Sequence, residues 1–157
     1  MTKETLDRID RKIIFELMRD ATLPIAQLAD RVGLSQTPCW KRVQKLEASG
    51  VIKGRVALID AGMIGLGLIV FVEIEAIDHS QDWRESFRAA LAAYPEIVEV
   101  HRMAGDVDYL LKVIVPDMAA FDRFYLALTA ALPCRNVTSK FSMETIRSST
   151  ALPIDTQ

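Results

Sequence analysis

The first third of the chain has apolar residues at the spacing of α-helices. One group, with charged residues between its members, recurs every three or four positions and comprises Leu6, Ile9, Ile13 and Leu17. A second helix is predicted after Pro24, which is tolerated in a first turn, and before Gly33, which suits a left-handed helix end. Ser35 is the expected N-cap of a third helix that ends at Gly50. The apolar face of this third helix consists of Cys39, Val43 and Leu46.

A glycine-rich join follows the three helices. Residues 51–60 look extended, and glycines stand at positions 62, 65 and 67. Their spacing matches neither of the common glycine-rich phosphate loops, so we interpret them as turns. We therefore expect a helix-turn-helix domain over residues 1–56, a linker strand to about residue 65, and a second domain over residues 66–157.

The remainder of the chain alternates between the periods of strands and helices. Strands are expected over residues 68–77, 97–104, 108–115 and 137–143. The two intervening helices end at Pro95 and Pro133. The order β-α-β-β-α-β is typical of a ferredoxin-like fold, with four antiparallel strands and both helices on one face. The predicted class is therefore α+β, a winged-helix-like helix-turn-helix followed by a ferredoxin-like domain, whose partly apolar free sheet face is expected to form dimers.

Composition narrows the classes of protein that remain. Half of the 157 residues are hydrophobic and a quarter are charged, which excludes a disordered chain. No apolar run approaches the roughly 20 residues that cross a membrane, and the first ten residues are too polar for a signal peptide. Two cysteines are too few for a disulfide framework or a four-cysteine zinc site. We expect a reduced, cytoplasmic protein without a metal or cofactor and without a membrane partner.

Charge is unevenly distributed along the chain. Residues 1–56 contain eleven Lys and Arg against seven Asp and Glu, a net +4, whereas residues 57–157 contain eight against fourteen, a net −6. The surface of the third helix opposite its apolar face carries Gln36, Thr37, Lys41, Arg42, Gln44 and Lys45. Glutamine can pair with adenine, lysine and arginine can pair with guanine, and cations neutralise phosphates. The pattern favours a helix that reads the major groove, and a solvated helical hairpin with scattered charge is the alternative.

Three segments carry a resemblance to a known family. LDRIDRKI at 6–13, LADRVGLSQTPCWKRVQKLEASGVI at 28–52 and GDVDYLLKVIVPDM at 105–118 resemble the Lrp/AsnC transcriptional regulators. The resemblance extends from about residue 6 to residue 153. It implies an N-terminal helix-turn-helix, a C-terminal ferredoxin-like domain that binds amino acids, and dimers that often assemble into octamers.

The resemblance also implies which residues contact double-stranded DNA. The recognition helix runs from Ser35 to about residue 49. Its expected contacts are Ser35, Gln36, Thr37, Trp40, Lys41, Arg42 and Lys45. Arg42 and Lys45 occupy positions that are usually basic in the family, whereas Trp40 and Lys41 depart from its pattern and indicate a separate operator. Trp40 has the alternative of packing on the side of the first helix.

A second group of residues is expected to hold the effector. The group comprises Gly105, Asp106, Asp108 and Tyr109, together with Thr138 and Ser139, which the resemblance implies come from a neighbouring subunit. Aspartate and turn carbonyls suit an ammonium group, and turn N–H groups suit a carboxylate. We expect Gly105 to be required, because a side chain at this position would block the turn or the approach of the ligand. An ordinary hairpin turn, in which aspartate is common, is the alternative.

Other functions find less support. His79 and His101 lack metal-ligand spacing to each other or to a cysteine, and neither Cys39 nor Cys134 has a visible catalytic partner, so no enzyme is expected. Two regulatory functions remain, an effector-responsive, operator-specific regulator and an architectural protein that wraps DNA without an obligatory ligand. The segments TPCWKR and RMAG look similar to a branch of the family associated with cysteine sensing, and other amino acids are alternatives.

Overall fold

The computed structural model describes residues 6–156, and three helices occupy the first part of this range. They are α1 (Arg8–Arg19), α2 (Ile25–Val32) and α3 (Gln36–Ala48), as the apolar spacing predicts. Residues 1–5 and 157 of the expected domains lie outside the described residues. The helices pack around one apolar cluster, whose buried members are Ile13, Leu23, Leu28, Ala29, Val32, Cys39, Val43 and Leu46.

The boundaries of these helices have local causes. Asp7 caps α1, because its carboxylate accepts the N–H of Asp10 at 2.8 Å while the Asp10 carboxylate accepts the N–H of Asp7 at 3.3 Å. Gly33 ends α2 with φ of 75°, which permits the sharp turn to the next helix. Ser35 is the N-cap residue of α3, although its side chain makes no capping hydrogen bond.

The join between the two halves differs from the expected linker strand. Residues 53–60 form neither a helix nor a strand. A strand requires hydrogen bonds to a neighbouring strand, and these residues do not pair with any of the four strands of the sheet. A short 3-10 helix, Gly62–Ile64, follows at the predicted turn. The chain divides into two units, one of residues up to 58 together with those from 146 onward, the other of residues 59–145.

Residues 146–156 therefore group with the first unit. The expectation from the sequence had placed them in the second domain, residues 66–157. The Arg11 guanidinium donates to the carbonyl oxygen of Asp155 at 3.5 Å, and the Leu152 N–H lies 3.3 Å from the sulfur of Met18. These contacts place the tail on α1. An expectation drawn from local pattern could not find them, because they join residues more than 130 positions apart.

The second unit has the predicted β-α-β-β-α-β order. Its elements are β1 (Leu68–Ala76), α4 (Gln81–Leu91), β2 (Ile97–Arg102), β3 (Tyr109–Val115), α5 (Met118–Ala131) and β4 (Cys134–Phe141). The antiparallel sheet has the strand order β2-β3-β1-β4, so the two central strands are the two richest in buried residues. This is a ferredoxin-like fold.

The two faces of this sheet have different characters. One face packs against α4 and α5, and its alternating buried side chains include Val70, Val72, Ile74, Leu111, Val113 and Val115. The opposite face carries Ile69, Phe71, Leu110 and Ile114, all partly or largely accessible. Two ion pairs, Lys140–Glu73 and Lys112–Glu99, flank this apolar strip. No element of the described residues in this unit covers the strip, in agreement with the sequence-based expectation of a partly apolar free face.

Candidate nucleic-acid interface and effector turn

The first turns of α3 present polar side chains to solvent. Gln36, Thr37 and Lys41 are exposed, on the side of the helix opposite its buried apolar face. Trp40 is 53% exposed, so about half of its side chain is accessible to solvent, and it is not among the buried residues of the apolar cluster. An exposed tryptophan beside amide, hydroxyl and ammonium groups leaves an apolar ring available to a partner. This surface therefore combines hydrogen-bonding groups with one large apolar contact.

Arg42 has a different environment from the other residues of α3 that are predicted to contact DNA. Its guanidinium group forms ion pairs with Asp7, at 2.5 Å, and with Asp10, at 2.7 Å. These hydrogen bonds raise the pKa of Arg42 above its ordinary value. The Asp10 N–H and the Arg42 guanidinium together lower the pKa of Asp7. Arg42 thus joins α3 to the start of α1, whereas its basic character and position in the sequence indicate a DNA contact.

A shallow cleft lies along this junction. It is lined by Asp7, Asp10, Lys41, Arg42 and Lys45. The two aspartates and three cations give the cleft a net positive charge, and Lys41 and Lys45 lie one helical turn apart on its α3 side. The two aspartates are absent from the residues predicted for this surface. The DRID spacing at their capping box was the available signal, but a capping box alone does not reveal a partner on another helix.

The turn between β2 and β3 is closed by Asp108. The Asp108 N–H donates to the carbonyl oxygen of Ile74 at 3.0 Å, and its carboxylate accepts the N–H of Ala76 at 2.8 Å. His79 approaches the same carboxylate, with 3.7 Å between its Nδ1 atom and an oxygen of Asp108. The carboxylate that seemed available for an ammonium group therefore already binds the end of β1.

Asp106 differs from Asp108 in being exposed at the tip of the turn. Neither a hydrogen bond nor an ion pair connects its carboxylate to another residue of the described range. Gly105 has φ of +133°, a backbone conformation that favours glycine, and a Cβ atom added there would meet nothing within 4 Å. Glycine at this position is thus favoured by the backbone conformation. A side chain would not clash with the turn, although such a clash was expected from the sequence.

Tyr109 lies at the start of β3 and faces the helices. Its ring contacts those of Phe87 and Trp83, with centroids 4.3 Å and 5.6 Å apart. It belongs to the aromatic edge of the core. The Tyr109 ring is therefore not exposed in the turn. It also borders a groove between α4 and β2.

Thr138 and Ser139 occupy opposite faces of the sheet. Thr138 is opposite Glu73 and lies on the free face, whereas Ser139 is opposite the buried Val72. The Ser139 hydroxyl is buried and has no hydrogen-bond partner. The two side chains cannot reach one ligand on the same face of the sheet, because neighbouring residues in a strand point in opposite directions.

The residues considered for catalysis or metal binding are dispersed. His101 lies 3.2 Å from Glu99, which also binds Lys112, and these hydrogen bonds lower the pKa of Glu99. Burial raises the pKa of both thiols, Cys39 and Cys134. Within residues 6–156 there is no cluster of three or more potential metal ligands. Nor is any helix of that range both long and apolar enough to cross a membrane.

Comparison with known proteins connects this architecture to a family. The family model for the Lrp/AsnC ligand binding domain matches residues 69–152, and the model for a winged helix-turn-helix DNA-binding domain matches residues 6–53. The chain belongs to the Lrp/AsnC family of transcriptional regulators. The DNA-binding match lies within the first unit, and the ligand-binding match covers most of the second unit and the first residues of the C-terminal tail.

Individual relatives agree with this assignment over nearly their whole length. The chain is 46% identical to the DNA-binding transcriptional activator DecR of Escherichia coli K12, covering 96% of this chain and 99% of the relative. A crystal structure of an AsnC family transcriptional regulator from Agrobacterium tumefaciens is 50% identical, with a TM-score of 0.90 and coverage of 94% and 97%. The transcriptional regulator NMB0573 from Neisseria meningitidis, whose crystal structure is that of a complex with L-Met, is 34% identical to this chain. The TM-score is 0.89, and the match covers 95% of this chain and 97% of that one.

Proposed function

We propose that this Lrp/AsnC regulator binds duplex DNA through the exposed surface of α3 and responds to a free amino acid held at the turn of residues 103–108. The observation that carries the DNA half is the run of exposed Gln36, Thr37, Trp40 and Lys41 on a helix whose other side is buried. The second helix of a helix-turn-helix lies in the major groove and contacts bases with its first residues. Such a protein acts where the chromosome is, so we propose a cytoplasmic location.

The residues on this surface have separate roles. Gln36 and Thr37 belong to the first turn of α3 and are assigned to base edges, where an amide can pair with adenine. Lys41 and Lys45 are assigned to phosphates, because their cleft is net positive and cations on DNA displace counterions. Trp40 supplies an apolar contact, for which a thymine methyl group is suited. Ser35 exposes a hydroxyl at the start of the helix and is assigned to a phosphate.

Fluorescence anisotropy with labelled duplexes tests this assignment. Lys41→Gln should weaken binding to specific and random duplexes alike and reduce the slope of log affinity against log salt by about one unit. Gln36→Ala should lower the preference for the specific duplex by about 1–3 kcal/mol while random binding stays unchanged. Arg123→Gln, which removes an exposed charge from α5, is the control. Wild-type affinity and salt slope in both α3 variants would exclude this helix as the DNA contact.

The effector half rests on the open turn. Asp106 has an uncommitted carboxylate for an α-ammonium group, and the Gly105 backbone is exposed beside it with space for a ligand. Backbone N–H groups of such a turn can bind a carboxylate. The Neisseria meningitidis regulator forms a complex with L-Met, and this supports a free amino acid as the class of effector. Cysteine and other amino acids are candidates for the effector of this chain.

A thermal-shift screen with the twenty amino acids tests the effector half. A ligand at a hundred times its dissociation constant stabilises the folded protein by about 2.7 kcal/mol per site. Asp106→Asn should abolish the shift caused by the active amino acid, while Asp122→Asn, an exposed position on α5, should keep it. A shift that survives Asp106→Asn would place the pocket elsewhere. If no amino acid shifts the unfolding temperature or alters the DNA footprint, the architectural alternative is favoured.

We further propose that two copies join through the free face of the sheet. The apolar strip of Ile69, Phe71, Leu110 and Ile114 needs a cover, and an identical strip related by a two-fold axis supplies one. A dimer would present two α3 helices to half-sites about one helical turn apart or a multiple of it. Thr138 lies on this face, which fits the proposal that a neighbouring subunit contributes it, whereas Ser139 lies on the other face. Assembly of dimers into octamers is the form that the family resemblance implies.

Light scattering on the full-length protein tests the assembly. Phe71→Glu introduces a charge into the centre of the strip and should lower the measured mass to that of a monomer at micromolar concentration. Leu126→Glu, at an exposed position on α5, is the matched control and should leave the mass unchanged. A monomeric wild type, or an unchanged mass for Phe71→Glu, would contradict dimerisation through this face.

A further inference from the structure

A groove of about 340 Å³ lies between α4 and β2 on the helix side of the sheet. Three arginines line it, Arg84 and Arg88 from α4 and Arg102 from the end of β2. Its apolar lining consists of Phe87, Leu91, Val100 and Tyr109. The volume falls within the range of about 300–1,000 Å³ that is usual for small-molecule sites.

These three arginines have no acidic partner among the described residues, in contrast to three arginines elsewhere in that range. Within the described range, Arg31 and Arg55 each pair with a glutamate, and Arg42 pairs with two aspartates. Neither an ion pair nor a side-chain hydrogen bond connects Arg84, Arg88 or Arg102 to another residue of that range. The groove therefore concentrates three positive charges in a part of the chain whose net charge is negative.

The nearest acidic side chains in sequence have other partners. Glu85, beside Arg84 on α4, accepts a hydrogen bond from Gln81 at 2.8 Å. Glu99 binds Lys112 and His101, which stand on the opposite face of the sheet. Two arginines four positions apart on one helix repel each other, which destabilises a helix by a few tenths of a kcal/mol unless an anion lies between them. An anion in the groove would remove that repulsion.

We propose that this groove binds a small organic acid, with its carboxylate among the three guanidinium groups and an apolar part against Leu91 and Val100. Guanidinium groups bind carboxylates through two parallel hydrogen bonds, and several donors around one carboxylate strengthen this interaction beyond that of a single exposed pair. Val100 is 41% exposed and Leu91 is partly buried, so both leave apolar surface for the ligand. A purely inorganic anion would leave that surface uncovered.

The groove is separate from the proposed effector turn but adjoins it. Arg102 is the last residue of β2 and Tyr109 the first of β3, so the turn connects two residues of the groove lining. Asp106, at the tip of the turn, does not line the groove. A ligand in the groove can consequently be detected independently of the amino acid that the turn is proposed to hold.

Isothermal titration of the full-length protein is the direct test, with phenylacetate, succinate and inorganic phosphate as probes. Phenylacetate has one carboxylate and an apolar ring, succinate has two carboxylates, and phosphate has no apolar part. We expect phenylacetate to bind more tightly than phosphate, and its affinity to fall at least about tenfold in each of Arg84→Gln, Arg88→Gln and Arg102→Gln. Arg123→Gln and Asp106→Asn should both keep wild-type affinity for phenylacetate. Circular dichroism would establish that each variant is folded.

Each of the following results would overturn the proposal. The first is the absence of measurable binding of either organic acid at millimolar concentration. The second is equal or tighter binding of phosphate, which would make the groove a site for inorganic anions. The third is unchanged affinity in the three arginine variants, or loss of affinity in Asp106→Asn, which would move the organic acid to another site. A changed oligomeric mass in the arginine variants, without binding of any probe, would instead identify the groove as a contact between copies.

Discussion

The Arg42 guanidinium lies 2.7 Å from the carboxylate of Asp10, the only buried charged side chain among the described residues. This pair joins the middle of α3 to the first turn of α1, and Asp7 adds a second carboxylate. A buried carboxylate needs such a partner, because desolvation without compensation is costly. The orientation of α3 within the first unit therefore depends on its ion pairs to α1 as well as on its buried apolar face.

Arg42→Gln should consequently act on stability. Removing the guanidinium leaves Asp10 buried without its cation, and we expect the free energy of unfolding to fall by about 1–3 kcal/mol. Urea unfolding followed by circular dichroism measures this change. Lys41→Gln, one residue earlier on the exposed surface, should leave the stability within about 0.5 kcal/mol of wild type. If Arg42→Gln weakened DNA binding with unchanged stability, its main role would be the phosphate contact that the sequence suggested.

The ion pairs of Arg42 with Asp7 and Asp10 predict that the stability of the protein depends on pH. The pKa of Asp7 is lowered in the folded protein, chiefly by the hydrogen bond from the Asp10 N–H and then by Arg42. Its contribution to stability is therefore present above the ordinary pKa of 3.8 and is lost as the pH falls through the folded value. The difference in stability between wild type and Asp7→Asn should be constant near neutral pH and shrink below pH 3.8. Unfolding curves at several pH values check this, and a difference that grew on acidification would contradict it.

The two aspartates of the β2–β3 turn should behave differently when replaced. Asp108→Ala removes the acceptor for the Ala76 N–H and should destabilise the protein by about 1–3 kcal/mol. Asp106→Asn touches no internal hydrogen bond and should leave the unfolding temperature unchanged in the absence of ligand. Differential scanning calorimetry of both variants without amino acids separates the two roles. Equal destabilisation would mean that Asp106 also supports the turn.

Gly105→Ala tests the conformational argument for glycine. An alanine at φ of +133° is strained even though its Cβ atom meets no neighbour, so we expect a loss of about 1–3 kcal/mol. Gly67→Ala is the control, because Gly67 has equal space around it and no positive φ. Chemical unfolding of the two variants gives the comparison. Equal stability would show that the turn relaxes to accept a side chain.

Most elements of the fold could be predicted because their signals are local. The apolar spacing at Cys39, Val43 and Leu46 corresponds to the buried face of α3, and the alternation in β1 corresponds to the face that packs on the helices. Positive φ at Gly33 likewise follows from its place after α2. These features depend on residues within one or two helical turns, which a single sequence displays.

The candidate site was less predictable because its contacts join distant residues. Nothing local distinguishes Arg42, which binds Asp7 and Asp10, from Lys41, which does not. Asp108 is likewise distinguished from Asp106 only by the end of β1, about thirty residues earlier. The separation of Thr138 from Ser139 could have been foreseen, since alternation places neighbouring strand residues on opposite faces. The groove of three arginines needs β2 beside α4, which the order of elements alone does not establish.

The return of the C-terminal residues to α1 has a consequence for how the chain can be cut. The polypeptide passes from the first unit to the second near residue 58 and back near residue 145, so each passage is a separate covalent connection. A protease that cleaves within residues 53–60 would divide the chain into two fragments, and the longer fragment would still include the tail that contacts α1. The nicked protein should therefore elute as one species under native conditions and separate only in denaturant. A DNA-binding domain expressed without residues 146–156 would lack one of its own packing surfaces.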